Sequence, residues 1–408
     1  MKYDSLQKLF FKQPNDYHSI YHNRFHSEYA IHLDFDIQGF PAFYLRTPES
    51  IDLLLNIHKM DKKVRELIHS LPGIAQHQFA KRCLIDEVVL TNSIEGVNST
   101  RRDITDVLES LKTQDKRKRF SGLVNKYLML RETDELSIKT CEDIRLIYDD
   151  LVLKEVEEED PNDLPDGLLF RKGSVNVYSS TQKIIHTGLY PESKIIHYMQ
   201  KALDFLSNDE IEMLERISIF HYLFGYIHPF YNGNGRLSRF ISSYLLSKEL
   251  NSLISYRLSY TIKENIQLYY KAFIVCNDEK SRGDLTPFLL SFLEIVSKAI
   301  DQLYAALQKR LESLKSFAKM AEHIPFISES SEMKNIAYLL IQAELFSEDG
   351  ITTSELLEAT EVTPATLRKR LSKFSSYQLL TQDRVGHNKT YRLNLKRLIE
   401  LVEQYSKQ

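Results

Sequence analysis

Apolar residues recur at helical spacing along most of the chain, with few breaks between Pro48 and Met320. This spacing gathers the apolar side chains on one face of each helix and leaves the polar side chains on the other face. Helices are predicted over residues 79–97, 104–113, 122–132, 140–153, 193–206, 209–227, 236–248, 263–276 and 286–320, with one more beginning near residue 51. The pattern therefore predicts a mainly α protein.

One short region within the first three quarters of the chain has a β pattern. Ser174–Tyr178 and Lys183–His186 are separated by four polar residues, and this arrangement predicts a hairpin. The acidic, proline-containing stretch Glu155–Gly167 comes before the hairpin and is predicted to be a solvated loop. Residues 1–47 are rich in aromatic side chains, and their pattern supports no assignment.

The chain changes character from about Ser328. Helices are predicted over residues 333–346, 353–358 and 365–374, and strand-like segments over 379–382 and 390–393. Two helices, a turn, a third helix and a hairpin within about seventy residues are the outline of a winged helix-turn-helix.

Composition narrows the class of protein. The 408 residues include 53 Lys and Arg against 56 Asp and Glu, so the net charge of −3 excludes a basic coat along the whole chain. Three widely separated cysteines, none in a CxxC pair, indicate reduced thiols rather than disulfides or a zinc site. No apolar stretch is long enough to span a bilayer. We therefore expect a cytoplasmic protein of two or three domains that does not act in a membrane.

The stretch His228-Pro-Phe-Tyr-Asn-Gly-Asn-Gly-Arg-Leu-Ser-Arg239 carries the candidate chemistry. A predicted apolar helix runs into Pro229, which ends or kinks it, and the next helix begins near Asn234. The glycine-rich loop between them offers backbone N–H groups at a helix N-terminus, where the dipole favours an anion. Arg236 and Arg239 lie three residues apart and can face one pocket, and guanidinium groups suit phosphate oxygens. Taken singly, these features have ordinary structural explanations; together they predict a polyphosphate site beside one histidine.

This stretch resembles the motif of the Fic (Fido) family, His-x-Phe-x-Asp/Glu-Gly-Asn-Gly-Arg-x-x-Arg, at every fixed position except Asn232. Upstream, Thr91-Asn-Ser-Ile-Glu95-Gly96 fits the family's inhibitory pattern, Ser/Thr-x-x-x-Glu-Gly/Asn. Arg171 with the hairpin resembles the substrate flap, and the segment from Tyr269 to Phe288 resembles the downstream helix pair. The resemblance covers residues 50–300 and implies a Fic-type helical bundle with a hairpin flap. The predicted domains are an unassigned segment (1–47), N-terminal helices with the inhibitory motif (48–110), a Fic core (111–325) and a winged helix (328–408).

The resemblance implies a protein adenylyltransferase. His228 would be the general base that takes the proton of a protein Ser, Thr or Tyr hydroxyl, on another protein or on this chain. The hydroxyl would attack the α-phosphorus of ATP and release pyrophosphate. The residues implied to bind the nucleotide are Gly233, Asn234, Gly235, Arg236, Arg239, Tyr269 and Asn277. The flap residues implied to dock the target by strand addition are Val175, Asn176, Val177 and Tyr178.

Asn232 is the departure from the family motif. The family usually has a carboxylate there that helps hold Mg²⁺ or Mn²⁺ on the phosphates, and a neutral amide should bind the ion more weakly. Three interpretations stay open: a weaker transferase, a nucleotide binder with little catalysis, and an altered metal requirement or reaction. A phosphate donor other than ATP also stays open, because the loop would bind phosphates and not bases.

Glu95 has two interpretations. An isolated helical glutamate is by default a surface carboxylate. In the family pattern Glu95 would pair with Arg239 in the resting state and keep that arginine from the γ-phosphate; the same glutamate is also credited with aiding removal of AMP from targets. Because the whole pattern from Thr91 to Gly96 is present, we expect autoinhibition.

The predicted winged helix is strongly basic. Nine basic residues and one acidic residue lie between Thr363 and Arg397, and this balance is typical of a DNA-binding surface. The expected contacts with double-stranded DNA are Arg368, Lys369, Arg370, Lys373, Arg384 and Lys389. The alternative is a surface for protein docking or for a homodimer. The second functional hypothesis is therefore a DNA-binding transcriptional regulator whose Fic domain senses a nucleotide with little or no turnover.

Overall fold

A computed structural model describes residues 3–112, 118–131, 135–178, 184–385 and 388–406. Most of these residues lie in α-helices, so the prediction of a mainly α protein is confirmed. Within these ranges, no helix combines the length and the apolar character that a membrane span requires.

The helices and strands are numbered in chain order. The helices of the first half are α1 (Leu6–Lys12), α2 (Tyr17–Phe25), α3 (Pro48–His69), α4 (Gly73–Ile94), α5 (Arg101–Lys112), α6 (Ser121–Leu128), α7 (Cys141–Tyr148), α8 (Lys154–Glu159) and α9 (Glu192–Leu206). The later helices are α10 (Met213–Ile227), α11 (Asn234–Glu249), α12 (Ser252–Ser255), α13 (Leu258–Glu264), α14 (Ile266–Asn277), α15 (Thr286–Ala321), α16 (Pro325–Ser328), α17 (Ser331–Phe346), α18 (Thr353–Thr360), α19 (Pro364–Ser376) and α20 (Leu395–Ser406). The strands are β1 (Ala30–Ile37), β2 (Phe40–Leu45), β3 (Asn176–Tyr178), β4 (Ile184–Thr187), β5 (Ile351–Thr352), β6 (Leu380–Val385) and β7 (Asn388–Leu393).

The chain divides into two compact units, one of residues 1–62 and 85–301 and the other of residues 63–84 and 302–408. The boundaries predicted from the sequence follow the order of the chain and group residues 63–84 with the N-terminal helices. In the structure these residues belong with the C-terminal unit, where Phe79 packs against Phe346 with ring centroids 6.3 Å apart.

Helix α10 lies at the centre of the first unit. It is apolar on nearly all sides, and a helix of that kind must be surrounded by protein. It packs against α9 and α11, and most residues of α11 are buried as well. The loop between α10 and α11 is therefore held by two buried helices.

The N-terminal segment, which the sequence pattern left unassigned, contains two helices and the antiparallel hairpin of β1 and β2. Leu33, Phe35 and Ile37 alternate with exposed residues along β1, as expected for a strand with one face on the core. The turn between the strands has positive φ at Gln38 (51°) and Gly39 (79°), the conformation of a tight hairpin turn.

The prediction of a solvated loop over residues 155–167 is wrong for its first part. Helix α7 continues through a π-helical turn, Asp149–Leu153, into α8, which runs to Glu159. Burial of Val152, Glu155 and Val156 holds this segment against the core. The segment is acidic in composition but forms an amphipathic helix, and one charged residue, Glu155, lies on its buried side.

The predicted flap hairpin is present as β3 and β4, with Asn176 paired to Thr187 and Val177 to His186. The connection between the two strands lies outside the described residues, as does the side chain of Tyr178.

In the C-terminal unit, helices α17, α18 and α19 are combined with a three-stranded sheet of order β5-β7-β6. Thr352 and Glu355 form a capping box at α18, and Thr363 caps α19 with Pro364 in its first turn. The predicted helices and hairpin of this region are present, and their assembly as a winged helix stays a prediction. Residues 386–387, within the expected wing, lie outside the described residues.

Candidate active site

His228 ends helix α10 in a left-handed conformation, with φ of 52°. Pro229 lacks a backbone N–H and disfavours a helical residue before it, so the chain leaves the helix at this point. The fully buried Arg171 fixes the exit: its Nε donates to the carbonyl oxygen of His228 and its Nη2 to that of Leu189, both at 2.9 Å. Burial lowers the pKa of Arg171 to about 10.

Asn234 builds the loop between α10 and α11. Its Oδ1 accepts from the backbone N–H of Phe230 at 2.9 Å, and its Nδ2 donates to the carbonyl oxygen of Phe230 at 2.7 Å. The ring of Phe230 stacks on Tyr148 with centroids 3.7 Å apart. Because the Asn234 side chain is used within the loop, the groups left to receive an anion here are the backbone N–H groups in the first turn of α11.

A cavity of about 310 Å³ joins the loop to the neighbouring helices and the flap. Eight of the predicted site residues line this cavity: Glu95, Val177, His228, Asn234, Gly235, Arg239, Tyr269 and Asn277. These residues come from the turn after α4, from β3, the loop, α11 and α14, so the fold brings together positions that are far apart in the chain.

The His228 imidazole is neutral at physiological pH. Burial, together with the neighbouring Arg171 and His186, lowers its pKa to about 4. His186, in β4, lies with Nε2 2.5 Å from the carbonyl oxygen of Tyr226, and burial lowers its pKa as well. His228 can therefore accept a proton throughout the neutral range.

Arg239 is almost completely buried and is held by helix α4. Its Nε donates to Thr91 Oγ1 at 2.9 Å, its Nη2 to the Thr91 carbonyl oxygen at 3.0 Å, and its Nη1 to Glu95 Oε1 at 2.8 Å. Burial lowers the pKa of Arg239, but the carboxylate of Glu95 and the neighbouring Tyr269 raise it above its ordinary value. Thr91 lies in the last turn of α4 and Glu95 in the turn that directly follows it, so the C-terminal end of α4 binds this arginine.

The Glu95 carboxylate also lies against Gly235, at the N-terminus of α11. A Cβ atom at Gly235 would collide with both carboxylate oxygens. The glutamate thus occupies the position where the first turn of α11 and Arg239 would together receive a phosphate.

The model of the Fic/DOC family matches residues 139–246, which include the loop, both flap strands and helices α7 to α10. Residues 139–246 form a Fic/DOC family domain, which supports membership of the Fic family. Proteins with a Fic domain are generally nucleotidyl transferases, which places this chain in a transferase family.

Solved structures of Fic proteins resemble the chain at low sequence identity. A Fic family protein from Desulfovibrio desulfuricans G20 is 20% identical, with a TM-score of 0.50 over 86% of this chain and 97% of that one. Fic-1 from C. elegans is 18% identical, with a TM-score of 0.45 over 74% of this chain and 81% of that one. A Fic domain containing signaling protein from Bacteroides thetaiotaomicron VPI-5482 is 16% identical, with a TM-score of 0.44 over 62% and 95%. The first of these supports the fold.

Arg236 is the motif arginine that the structure does not place in the cavity. Its side chain is fully buried, with Nη2 3.4 Å from Asn232 Oδ1 and 3.6 Å from Glu159 Oε2. Its Nε and Nη1 atoms have no hydrogen-bond partner among the described residues. The two arginines of the Fic motif are thus both next to carboxylates of the chain, Arg239 next to Glu95 and Arg236 next to Glu159.

Two residues of α10 that lie outside the Fic motif position side chains in the cavity wall. His221 Nε2 lies 2.7 Å from the hydroxyl of Tyr269, and the Tyr222 hydroxyl donates to Asn277 Oδ1 at 2.7 Å. Burial lowers the pKa of His221 to about 3, so its ring is neutral. The available signal was the presence of two polar side chains in an otherwise apolar helix that leads directly into the Fic motif.

The flap residues are held by the pairing of β3 with β4. The Val175 carbonyl oxygen accepts from the N–H of Gly188 at 3.0 Å, and Thr187 Oγ1 donates to Asn176 Oδ1 at 2.8 Å. Among the flap residues that the structure describes, Val177 of β3 and His186 of β4 line the cavity.

The six basic residues expected to contact DNA fall into two groups. Arg370 donates to Glu332 at 3.0 Å, and Lys373 pairs with Glu329. The exposed members are Arg368, Lys369, Arg384 and Lys389. Arg370 and Lys373 are therefore paired within their own unit, which makes them poorer candidates for phosphate contacts than the exposed four.

Proposed function

We propose that this protein transfers AMP from ATP to a Ser, Thr or Tyr hydroxyl of a protein, and that Glu95 holds this activity in check. The observation that carries the proposal is the single cavity shared by His228, the first turn of α11 and Arg239, with the carboxylate of Glu95 inside it. A neutral base, an anion site and a buried cation are the groups that nucleotidyl transfer to a hydroxyl requires.

Each group has one task in the reaction. His228 accepts the proton of the hydroxyl while the hydroxyl oxygen forms a bond to the α-phosphorus of ATP. The bond from that phosphorus to the oxygen bridging to the β-phosphate breaks, and pyrophosphate leaves with its electron pair. The N–H groups of α11 and the guanidinium of Arg239 stabilise the phosphate oxygens, where charge develops. Val177, in flap strand β3, lies at the cavity wall where the hydroxyl of the target would enter.

Inhibition by Glu95 follows from the same geometry. Its carboxylate is bound to Arg239 at 2.8 Å and lies against Gly235, so a phosphate and Glu95 compete for one site. ATP would bind with its terminal phosphates misplaced until the glutamate moves away. The wild-type chain should consequently label slowly.

The residues beside the loop fit a hard divalent cation, because they offer oxygen donors and neither sulfur nor imidazole. Asn232 and Glu159 lie next to Arg236 at this end of the loop, and Asp163 accepts from Asn232. Mg²⁺ and Mn²⁺ prefer such oxygen ligands together with phosphate oxygens and water. When bound, the ion would neutralise charge on the phosphates.

The test is incubation of the pure chain with α-labelled ATP and Mg²⁺ or Mn²⁺, using the wild type, Glu95→Gly and the double variant Glu95→Gly/His228→Ala. We expect label on protein from Glu95→Gly and none from the double variant, which retains the phosphate site but lacks the base. ATP binding without any label on Glu95→Gly, in the presence of a protein lysate as target source, would overturn the proposal.

We propose DNA binding by the C-terminal unit as a second function. The observation that favours it is the exposure of Arg368 and Lys369 on α19 together with Arg384 and Lys389 on the β6–β7 hairpin. A basic helix beside a basic hairpin can contact phosphates on both sides of a groove. This function is compatible with the first and is independent of turnover in the Fic domain.

The test is a titration of duplex DNA at increasing salt. Contacts to phosphates make the affinity fall steeply as salt rises, and the variant Arg368→Ala/Arg384→Ala should reduce that slope by about two. Lys12→Ala, an exposed cation at the end of α1, serves as the control and should leave the slope unchanged. No binding at low salt would remove this proposal.

A further inference from the structure

Asn232 occupies the motif position that usually carries a carboxylate. Its side-chain oxygen already accepts hydrogen bonds within the protein. Oδ1 accepts from the backbone N–H of Gly233 at 2.6 Å and lies 3.4 Å from Arg236 Nη2. The other end of the amide, Nδ2, donates to Asp163 Oδ2 at 3.3 Å. An N–H donor cannot ligate a cation, so Asn232 presents a neighbouring carboxylate to this end of the loop.

Asp163 is placed there by the segment that follows α8. Asp160 ends the helix, its side chain accepts from the N–H of Asn162, and Pro161 starts a tight 3₁₀ turn that ends at Asp163. The N–H of Asp163 donates to the carbonyl oxygen of Asp160 at 3.0 Å and closes this turn. Within the described ranges, no lysine or arginine lies within ion-pair distance of the Asp163 carboxylate.

Arg236 supplies a second, independent indication of a ligand. Its side chain is completely buried, yet Nε and Nη1 have no partner among the described residues. Buried donors of a charged group are costly when unpaired. Glu159 lies 3.6 Å from Nη2 but leaves Nε and Nη1 without an acceptor, so these two atoms point to a further anionic ligand. Asn232 thus contacts both the Asp163 carboxylate and the Arg236 guanidinium. These two groups suit a ligand that carries both signs of charge, such as a divalent cation on a triphosphate.

We infer that Asp163 supplies the carboxylate that the motif position lacks, toward Mg²⁺ or Mn²⁺ on the triphosphate of ATP, and that Asn232 is its positioning residue. This inference rests on the proposed function for the identity of the nucleotide. It also accounts for asparagine at position 232, because an aspartate there would face the Asp163 carboxylate and the two charges would repel each other.

The test measures binding of the cation directly. Free Mn²⁺ is followed by electron paramagnetic resonance while it is titrated into the full chain with saturating ATP, in the Glu95→Gly background, which opens the phosphate site. Asp163→Asn should weaken Mn²⁺ binding to the protein–ATP complex by about tenfold or more, because a carboxylate ligand is replaced by a neutral amide. Glu157→Gln removes an exposed charge from α8, the same acidic segment, and should change nothing.

The exchange variant Asp163→Asn/Asn232→Asp gives the sharper result. It moves the carboxylate to the loop and the amide to the 3₁₀ turn, and should recover most of the Mn²⁺ affinity that Asp163→Asn loses. Equal Mn²⁺ affinities of Asp163→Asn and Glu157→Gln, or a chain with ATP that binds no Mn²⁺, would overturn the inference.

The outcome also separates this inference from the proposed function. If AMP is transferred but Asp163→Asn leaves the Mn²⁺ affinity unchanged, the proposed function stands and the role of Asp163 is refuted. If the Mn²⁺ affinity depends on Asp163 but no AMP is transferred to any protein, the cation site is supported and the transferase function is refuted. Thermal unfolding of each variant shows whether a loss reflects the site or the fold.

Discussion

Replacing Glu95 with glycine should release the active site. The carboxylate bonds to Arg239 Nη1 at 2.8 Å, and the side chains of Arg239 and Glu95 are 1% and 27% exposed. A charge-assisted hydrogen bond between partners buried to this degree is worth about 1.5–3 kcal/mol. Since about 1.4 kcal/mol corresponds to a factor of ten, the wild type should lose roughly 10- to 100-fold in kcat/KM for ATP to this contact.

The variant should keep Arg239 in place. Two of the three hydrogen bonds of its guanidinium go to Thr91, at 2.9 and 3.0 Å, and do not involve Glu95. The gain in rate should therefore come from a vacated phosphate site and not from a rearranged arginine. A melting temperature close to that of the wild type would support this point.

The assay is the initial rate of labelling from α-labelled ATP at concentrations below KM. Glu95→Gln keeps the size of the side chain and removes its charge, so its rate should fall between those of the wild type and Glu95→Gly. Glu66→Gln, an exposed acid on α3, is the matched control and should behave as the wild type. If Glu95→Gly bound ATP and labelled no faster than the wild type, the reasoning would be refuted.

Three further predictions concern the base, the cavity wall and the loop. Because the pKa of His228, the proposed base, is lowered to about 4, its neutral form persists above that pH, and the acid limb of kcat/KM should lie near pH 4; a limb near pH 6.5 would contradict this. Tyr222→Phe removes the hydroxyl that orients Asn277 and should raise KM for ATP several-fold with little change in kcat, and an unchanged KM would count against that role. Phe230→Ala removes the ring stacked on Tyr148 and should lower the free energy of unfolding by about 3–5 kcal/mol in a urea titration, whereas a loss below about 1 kcal/mol would show that the stack does not hold the loop.

The parts of the fold and site that the sequence predicted depend on local pattern. Apolar spacing was sufficient for α10 and α11, and the order of histidine, glycines and arginines marked the loop between them. The pattern around Glu95 also placed that residue next to Arg239, because it belongs to a motif with fixed spacing. These features are recognisable since they need few neighbours from elsewhere in the chain.

What escaped prediction depends on distant contacts. Asp163 and Asn232 are 69 residues apart, and nothing in the composition of the acidic segment shows that it contacts the loop between α10 and α11. Arg236 and Arg239 were expected in one pocket because three residues nearly complete a helical turn, but the neighbours of α11 decide where each guanidinium points. The β1–β2 hairpin was missed although Leu33 and Phe35 alternate with polar residues, since the segment is short and its turn is Gln-Gly.

The central claim is that the cavity of His228 and Arg239 carries out transfer of AMP. The most direct measurement compares Glu95→Gly incubated with ATP labelled at the α-phosphate and with ATP labelled at the γ-phosphate. The account predicts α-label on protein and γ-label only in released pyrophosphate, with both signals lost in Glu95→Gly/His228→Ala. Protein that acquires the γ-label, or α-label that persists without His228, would contradict it.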